Sequence, residues 1–173
     1  MNTEFDEISK FHGHKCPGLA MGYRMTRAAM KRLAESSAVD EELVAIVEND
    51  ACGVDALQWL TGCTFGKGNF IFQDYGKQVY TIYSRNSGKG VRAHFRDGAA
   101  PETARGSKQQ LMEWILAADE NDVVDVQDVS IEPPPKAVVY RSIKCDVCGE
   151  GVMETRIQKV GDRSLCIPCA QKQ

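Results

Sequence analysis

Four cysteines within the last thirty residues constrain this chain more than any other feature. Cys145-Asp146-Val147-Cys148 and Cys166-Ile167-Pro168-Cys169 form two C-x-x-C pairs with seventeen residues between them. Two intervening residues let both sulfurs of a pair turn back on one ion, and two pairs complete a tetrahedron of thiolates about 2.3 Å from zinc. Gly149 follows the first pair, where a tight knuckle favours a residue free to adopt positive φ. Residues 152–160 are expected to form a short hairpin or ribbon around Gly161-Asp162. A piece of fewer than about 40 residues rarely buries enough core to fold alone, so metal would supply the missing free energy. Two redox-active pairs without metal are the alternative; the spacing favours a zinc ribbon or treble clef. With four cysteine ligands no coordination position stays open, so this zinc is structural.

Composition decides how the other cysteines are read. At 43% hydrophobic and 26% charged, the 173 residues match a globular protein, with room for one ordinary domain and a small appendage. No apolar run approaches the roughly 20 residues that span a bilayer, and the acidic opening is no secretory signal. A cytoplasmic location and no membrane partner are therefore expected. In a reducing compartment, seven cysteines point to metal or chemistry rather than to disulfides. The net charge of −3 is shared unevenly, +3 on residues 136–173 and −6 before them. No basic stripe with interleaved aromatics appears, which argues against nucleic acid.

The clearest break is Glu132-Pro133-Pro134-Pro135-Lys136, which cannot continue a helix or enter a central strand and should act as a semi-rigid spacer. It divides the chain into a domain over residues 1–135 and a four-cysteine module over residues 136–173. In the first, hydrophobic spacing predicts helices over 17–36, 52–60 and 101–118. Strands are expected over 42–48, 69–73, 78–85, 91–96 and 123–131, with the third and fourth paired as a hairpin. The fold class is α+β, or an α/β sandwich, with a mixed sheet of about five strands flanked by helices.

The richer chemistry lies in Phe11-His12-Gly13-His14-Lys15-Cys16-Pro17-Gly18. If the segment is extended, His12, His14 and Cys16 face the same way, and Cys16 precedes a helix whose N-terminus favours thiolate. Imidazole and thiolate are the donors that zinc and related metals prefer. Further candidates follow in Asp50-Ala51-Cys52-Gly53-Val54-Asp55, where a strand meets a helix start, and in Cys63. Asp50, Asp55 and Cys52 are the candidate catalytic groups. A lone buried cysteine is usually a small hydrophobe, an equal reading for Cys63. The amides of Gly66-Lys67-Gly68 could cradle an anion, although a glycine-rich loop is more often a plain turn. His94, inside a strand, reads as structural or surface.

Together these blocks, with Gly22-Tyr23-Arg24, Val47-Glu48-Asn49, Thr61-Gly62-Cys63-Thr64-Phe65-Gly66-Lys67-Gly68-Asn69 and Asp74-Tyr75-Gly76-Lys77, resemble the FmdE family, named after a component of molybdenum formylmethanofuran dehydrogenase. The resemblance implies a thioredoxin-like α+β core and, in the longer members, a following zinc finger. It also implies a metal-dependent site onto which His14, Cys16, Cys52 and Cys63 map, with His12 as neighbour. The function expected is an accessory protein that handles a metal or cofactor for a molybdenum or tungsten redox enzyme. The alternatives are a stand-alone zinc-dependent enzyme using a second zinc or other transition metal in the core, and more weakly a zinc-finger nucleic-acid binder. A metalloenzyme partner and a homodimer complete the expectations.

Overall fold

A computed structural model describes residues 3–172, and the chain divides into two compact units, Met1–Lys136 and Ala137–Gln173. In the first, α1 (Thr3–His12) buries Phe5 and Ile8, three residues apart and so on one face. No helix is expected there from the sequence. The extended segment expected at residues 12–16 is instead a helix end and a turn. The Gly13 N–H bonds Ser9 O at 2.8 Å with φ of +94°, the left-handed close of a helix that glycine adopts freely.

The next helix, α2 (Pro17–Leu33), starts at proline, and Cys16 caps it: Sγ accepts from the Leu19 N–H at 3.3 Å. It carries the centre of the core, with Leu19, Met25 and Ala29 fully buried. Then come β1 (Leu43–Val47), α3 (Gly53–Thr61), a 3-10 turn at Phe65–Lys67, β2 (Phe70–Phe72), β3 (Val79–Ser84) and β4 (Gly90–Phe95). The helix expected over 101–118 is broken at Gly106-Ser107. A 3-10 turn (Glu102–Ala104) precedes the break, and Ser107 Oγ accepts from the Gln110 N–H at 3.1 Å to start α4 (Lys108–Ala117). A short α5 (Glu120–Val123) leads into β5 (Val124–Val129).

The five strands form one mixed sheet in the order β2-β1-β3-β4-β5. Only β1 and β2 run parallel, with Ala45 opposite Phe70; α3 makes the crossover between them. The remaining pairs are antiparallel, including the expected hairpin of β3 and β4. This is the α+β architecture that the sequence implies. β1 lies inside the sheet and reads Leu-Val-Ala-Ile-Val because both its faces are covered. The proline run is tied down rather than free: Arg85 donates to Pro134 O at 2.7 Å and to Pro135 O at 2.9 Å, and Pro134 is buried.

The second unit holds two hairpins, β6 (Ser142–Lys144) with β7 (Gly151–Met153) and β8 (Gln158–Val160) with β9 (Arg163–Leu165), then α6 (Ile167–Ala170). The β8–β9 turn falls at the anticipated Gly161-Asp162. Its small core is Leu165 with Cys145 and Cys166. No described helix of the chain is long and apolar enough to cross a membrane.

One contact sets the first unit's geometry. Helices α2 and α3 cross at Gly22 and Gly53, so close that a Cβ on Gly22 would overlap the Gly53 backbone. A Cβ on Gly53 would meet Tyr80 Oη at 2.6 Å and Gly22 Cα at 2.9 Å. Gly22→Ala is therefore expected to destabilise the unit by about 1–3 kcal/mol or more in urea unfolding, because backbone cannot yield as a side chain does. Gly66→Ala, where a Cβ meets nothing within 4 Å, is the control and should stay within about 0.5 kcal/mol of the parent. Equal effects would contradict the close-packing account.

Candidate metal centres

The crossing of α2 and α3 brings two helix N-termini side by side, and a thiol sits at each. Cys16 is the N-cap of α2 and Cys52 that of α3. The turn after α1 adds His12 and His14, whose rings lie 4.3 Å apart. One donor atom from each of His12, His14, Cys16 and Cys52 falls within 4.8 Å of the others. Segments separated by some forty residues thus converge at the carboxyl end of β1.

The histidine nearest the interior is oriented. His12 Nδ1 lies 2.6 Å from Asp55 Oδ2, on the first turn of α3, and the imidazole side chain is only 10% exposed. Paired in this way, Nδ1 carries the proton and Nε2 keeps its lone pair. That Nε2 is buried without a hydrogen-bond partner. Leaving such an atom unmet costs about 1–3 kcal/mol, which a metal ion would recover. A carboxylate behind a histidine whose far nitrogen is bare is the usual second-layer arrangement of a metal ligand.

The sulfurs point the same way. Burial and then a hydrogen bond with the Cys16 sulfur push the Cys52 thiol above its ordinary pKa. Two such neighbours resist joint ionisation unless a cation lies between them. Tyr80, buried and likewise unpartnered at its hydroxyl, is raised by burial and then by the Cys52 and Asp55 charges, so it stays neutral. The donor set of two imidazoles and two thiols therefore fits zinc or a related transition metal.

The structure does not bring in every candidate. Cys63 lies outside the cluster, fully buried, its thiol donating to Leu43 O at 3.4 Å and its pKa raised by burial. The Gly66-Lys67-Gly68 loop is closed on itself. The Lys67 N–H bonds Thr64 Oγ1, the Gly68 N–H bonds Phe65 O, and the Lys67 ammonium donates to Asp40 O at 3.2 Å. Asp55 is engaged by His12, whereas Asp50 is exposed. His94 stands in β4, half-exposed, with Asp125 3.9 Å away. The orienting role of Asp55, 43 residues from His12, escapes sequence reasoning, and no local signal announces it.

Beside the cluster opens a cleft of about 400 Å3. His12, Cys52, Asp50 and Asp55 line it together with Phe65, Phe70 and Phe72. Asn49 holds its rim, with Nδ2 on Lys77 O at 2.5 Å and Oδ1 accepting from the Ala51 N–H at 3.0 Å.

In the second unit the donor atoms of Cys145, Cys148, Cys166 and Cys169 also lie within 4.8 Å of one another. The Cys148 and Cys166 sulfurs are 3.9 Å apart, against about 3.8 Å for a tetrahedron with 2.3 Å bonds. Asp146 and Ser164 exchange two hydrogen bonds that lock the knuckles together. Backbone N–H groups of Cys148, Cys166 and Val147 draw the Cys145 thiol down to about 6. Its neighbour sulfur Cys166, then burial, pushes Cys169 up to about 12. The first thiolate forms readily, and the last needs zinc.

Two family models match the chain and overlap over residues 139–144. Residues 11–144 match the family model described as FmdE, molybdenum formylmethanofuran dehydrogenase operon, and residues 139–173 match the prokaryotic dksA/traR C4-type zinc finger. A crystal structure of a tungsten formylmethanofuran dehydrogenase FmdE-like protein from Syntrophus aciditrophicus superposes with TM-score 0.75 at 27% identity, covering 97% of this chain and 90% of that one. A probable S-adenosyl-L-methionine-binding protein of Archaeoglobus fulgidus is 31% identical over 93% of the chain, which spans about half (50%) of that relative. The C-terminal unit is thus a four-cysteine zinc finger holding structural zinc.

Zinc binding by this finger requires all four thiolates, so protons compete as pH falls. The Cys145 thiol is drawn down to about 6, so the thiolate that zinc needs is present above that pH and is lost as pH falls through it. Zinc transfer to a colorimetric chelator should therefore be slow and incomplete at pH 7–8 and rise steeply below about pH 6. Release independent of pH would contradict the thiolate account.

Proposed function

The chain belongs to the FmdE family, and on that premise we propose that its first unit holds a transition metal on His12, His14, Cys16 and Cys52. It would act as an accessory protein that handles a metal or cofactor for a molybdenum or tungsten redox enzyme. The observation that carries this reading is the His12 imidazole: nine-tenths buried, pinned at Nδ1 by Asp55 and bare at Nε2. His14 is exposed, which suits a ligand that must release as well as bind. The zinc finger stabilises its own unit and is closed to catalysis. The family's name and the likeness to a tungsten formylmethanofuran dehydrogenase FmdE-like protein support the choice of client enzyme.

The cleft favours a second reading, a stand-alone metal-dependent enzyme. If the exposed His14 gave up its place, a metal held by His12, Cys16 and Cys52 would have a position open and would supply Lewis acidity. Asp55 would then orient His12, and the exposed Asp50 on the cleft wall would accept a proton from a bound substrate.

Metal counting on protein purified without added metal tests the premise of both readings. Two metals per chain are expected, and a Cys16→Ala, Cys52→Ala double variant should keep one. Asp55→Asn should weaken the core metal by about 10–100-fold while leaving the finger's zinc in place. One zinc per chain in parent and double variant alike would remove the core site. Transfer of the core metal to an apo-enzyme distinguishes the carrier from the stand-alone enzyme.

A further inference from the structure

A core metal explains His12 and the paired thiols but not the wall opposite them. Phe70 and Phe72 alternate along β2, the edge strand, so both rings face one side. Phe65 joins them from the 3-10 turn, 79% exposed, and Phe72 is 45% exposed. Two exposed phenyl rings, with the half-buried Phe70 between them, give the cleft an apolar wall that the fold covers only in part.

The charge on the same cleft is one-sided. Its lining includes the Asp50 and Asp55 carboxylates and neither lysine nor arginine. The two thiolates of Cys16 and Cys52 would offset a divalent cation; Asp55 is engaged by His12 and Gln58, which leaves the exposed Asp50 as the free carboxylate of the cleft. The Asn49 side chain has spent its amide and carbonyl on the backbone, so polar recognition falls to Asp50. Aromatic faces attract cations through their ring quadrupoles, and carboxylates do so directly.

We propose that this cleft takes a small organic cation built on a planar ring, the ring lying among Phe65, Phe70 and Phe72 and the cationic group directed to Asp50, beside the core metal. The proposal rests on the core-metal reading, which puts an ion held by His12 and Cys52 on the wall of this cleft. A volume of about 400 Å3 suits one or two rings, near the lower end of small-molecule sites. A larger hollow of about 590 Å3 runs along α1, but two lysines there are already paired, Lys10 with Glu7 and Lys15 with Asp6.

Four probes separate the contributions: benzylamine (ring and cation), benzyl alcohol (ring alone), benzoate (ring and anion) and n-butylamine (cation alone). Each is titrated by ligand-observed NMR into the full chain at pH 7, on samples whose metal has been counted. Benzylamine should bind about tenfold or more tightly than the other three. Asp50→Asn and Phe72→Ala should each weaken it about tenfold while leaving metal count and melting temperature unchanged, because both side chains are exposed. Benzoate equal to or tighter than benzylamine, no binding by any probe, or benzylamine binding unchanged by both substitutions overturns the proposal. One metal per chain removes the core-site reading and this proposal with it; two metals with no preference for benzylamine removes this proposal alone.

Discussion

The close approach of Gly22 and Gly53 is the contact on which the first unit depends. Two helices can meet backbone to backbone only where neither carries a Cβ, and the meeting point fixes where their N-termini lie. Cys16 and Cys52 cap those termini, so the packing of α2 on α3 also sets the distance between two sulfurs. A Cβ on Gly18 would only touch Cys52 Cβ, at 3.4 Å, so the crowding centres on Gly22 and Gly53. Fold and donor geometry thus share one cause. A change that relieves the crowding would also scatter the donors.

The two cysteine clusters follow different physical logic. In the finger, four sulfurs are the fold, because Leu165 and its few neighbours bury too little to hold 37 residues in place. Zinc there substitutes for a core, and amides aimed at Cys145 prepare the first thiolate. In the first unit the core is extensive and needs no ion, so the His12–Asp55 pair and the bare Nε2 have no stabilising purpose of their own. A buried polar atom without a partner is costly, and such arrangements persist at functional sites. The aromatic cleft lies beside this second cluster and not beside the finger's.

Much of this is legible in the residues, and the reasons for the rest are specific. The finger follows from cysteine spacing alone, since C-x-x-C geometry is local. The β3–β4 hairpin and the continuous apolar run of β1 are equally readable, because burial on both faces writes itself into five consecutive residues. Helix α1 is not: its apolar face is only Phe5 and Ile8 among charged neighbours, too short a stripe to mark a helix. The break before α4 hides in Gly106-Ser107, where a capping hydroxyl outweighs the helical pattern around it. Cys63 and Cys52 look alike in sequence; only burial separates the thiol bonded to Leu43 O from the one at a helix cap. Asp55 stands out in the sequence only as a candidate base; its pairing with His12 arises where α1 meets α3, and nothing local announces it.

The central claim is that His12 Nε2 faces a metal. A crystal structure with anomalous data collected above and below the absorption edges of zinc, nickel and iron tests it most directly. Two anomalous peaks per chain are expected: one among the sulfurs of Cys145, Cys148, Cys166 and Cys169, the other within about 2.0–2.3 Å of His12 Nε2 and the Cys16 and Cys52 sulfurs. A single peak at the finger, with His12 Nε2 bonded instead to water or protein, would contradict it.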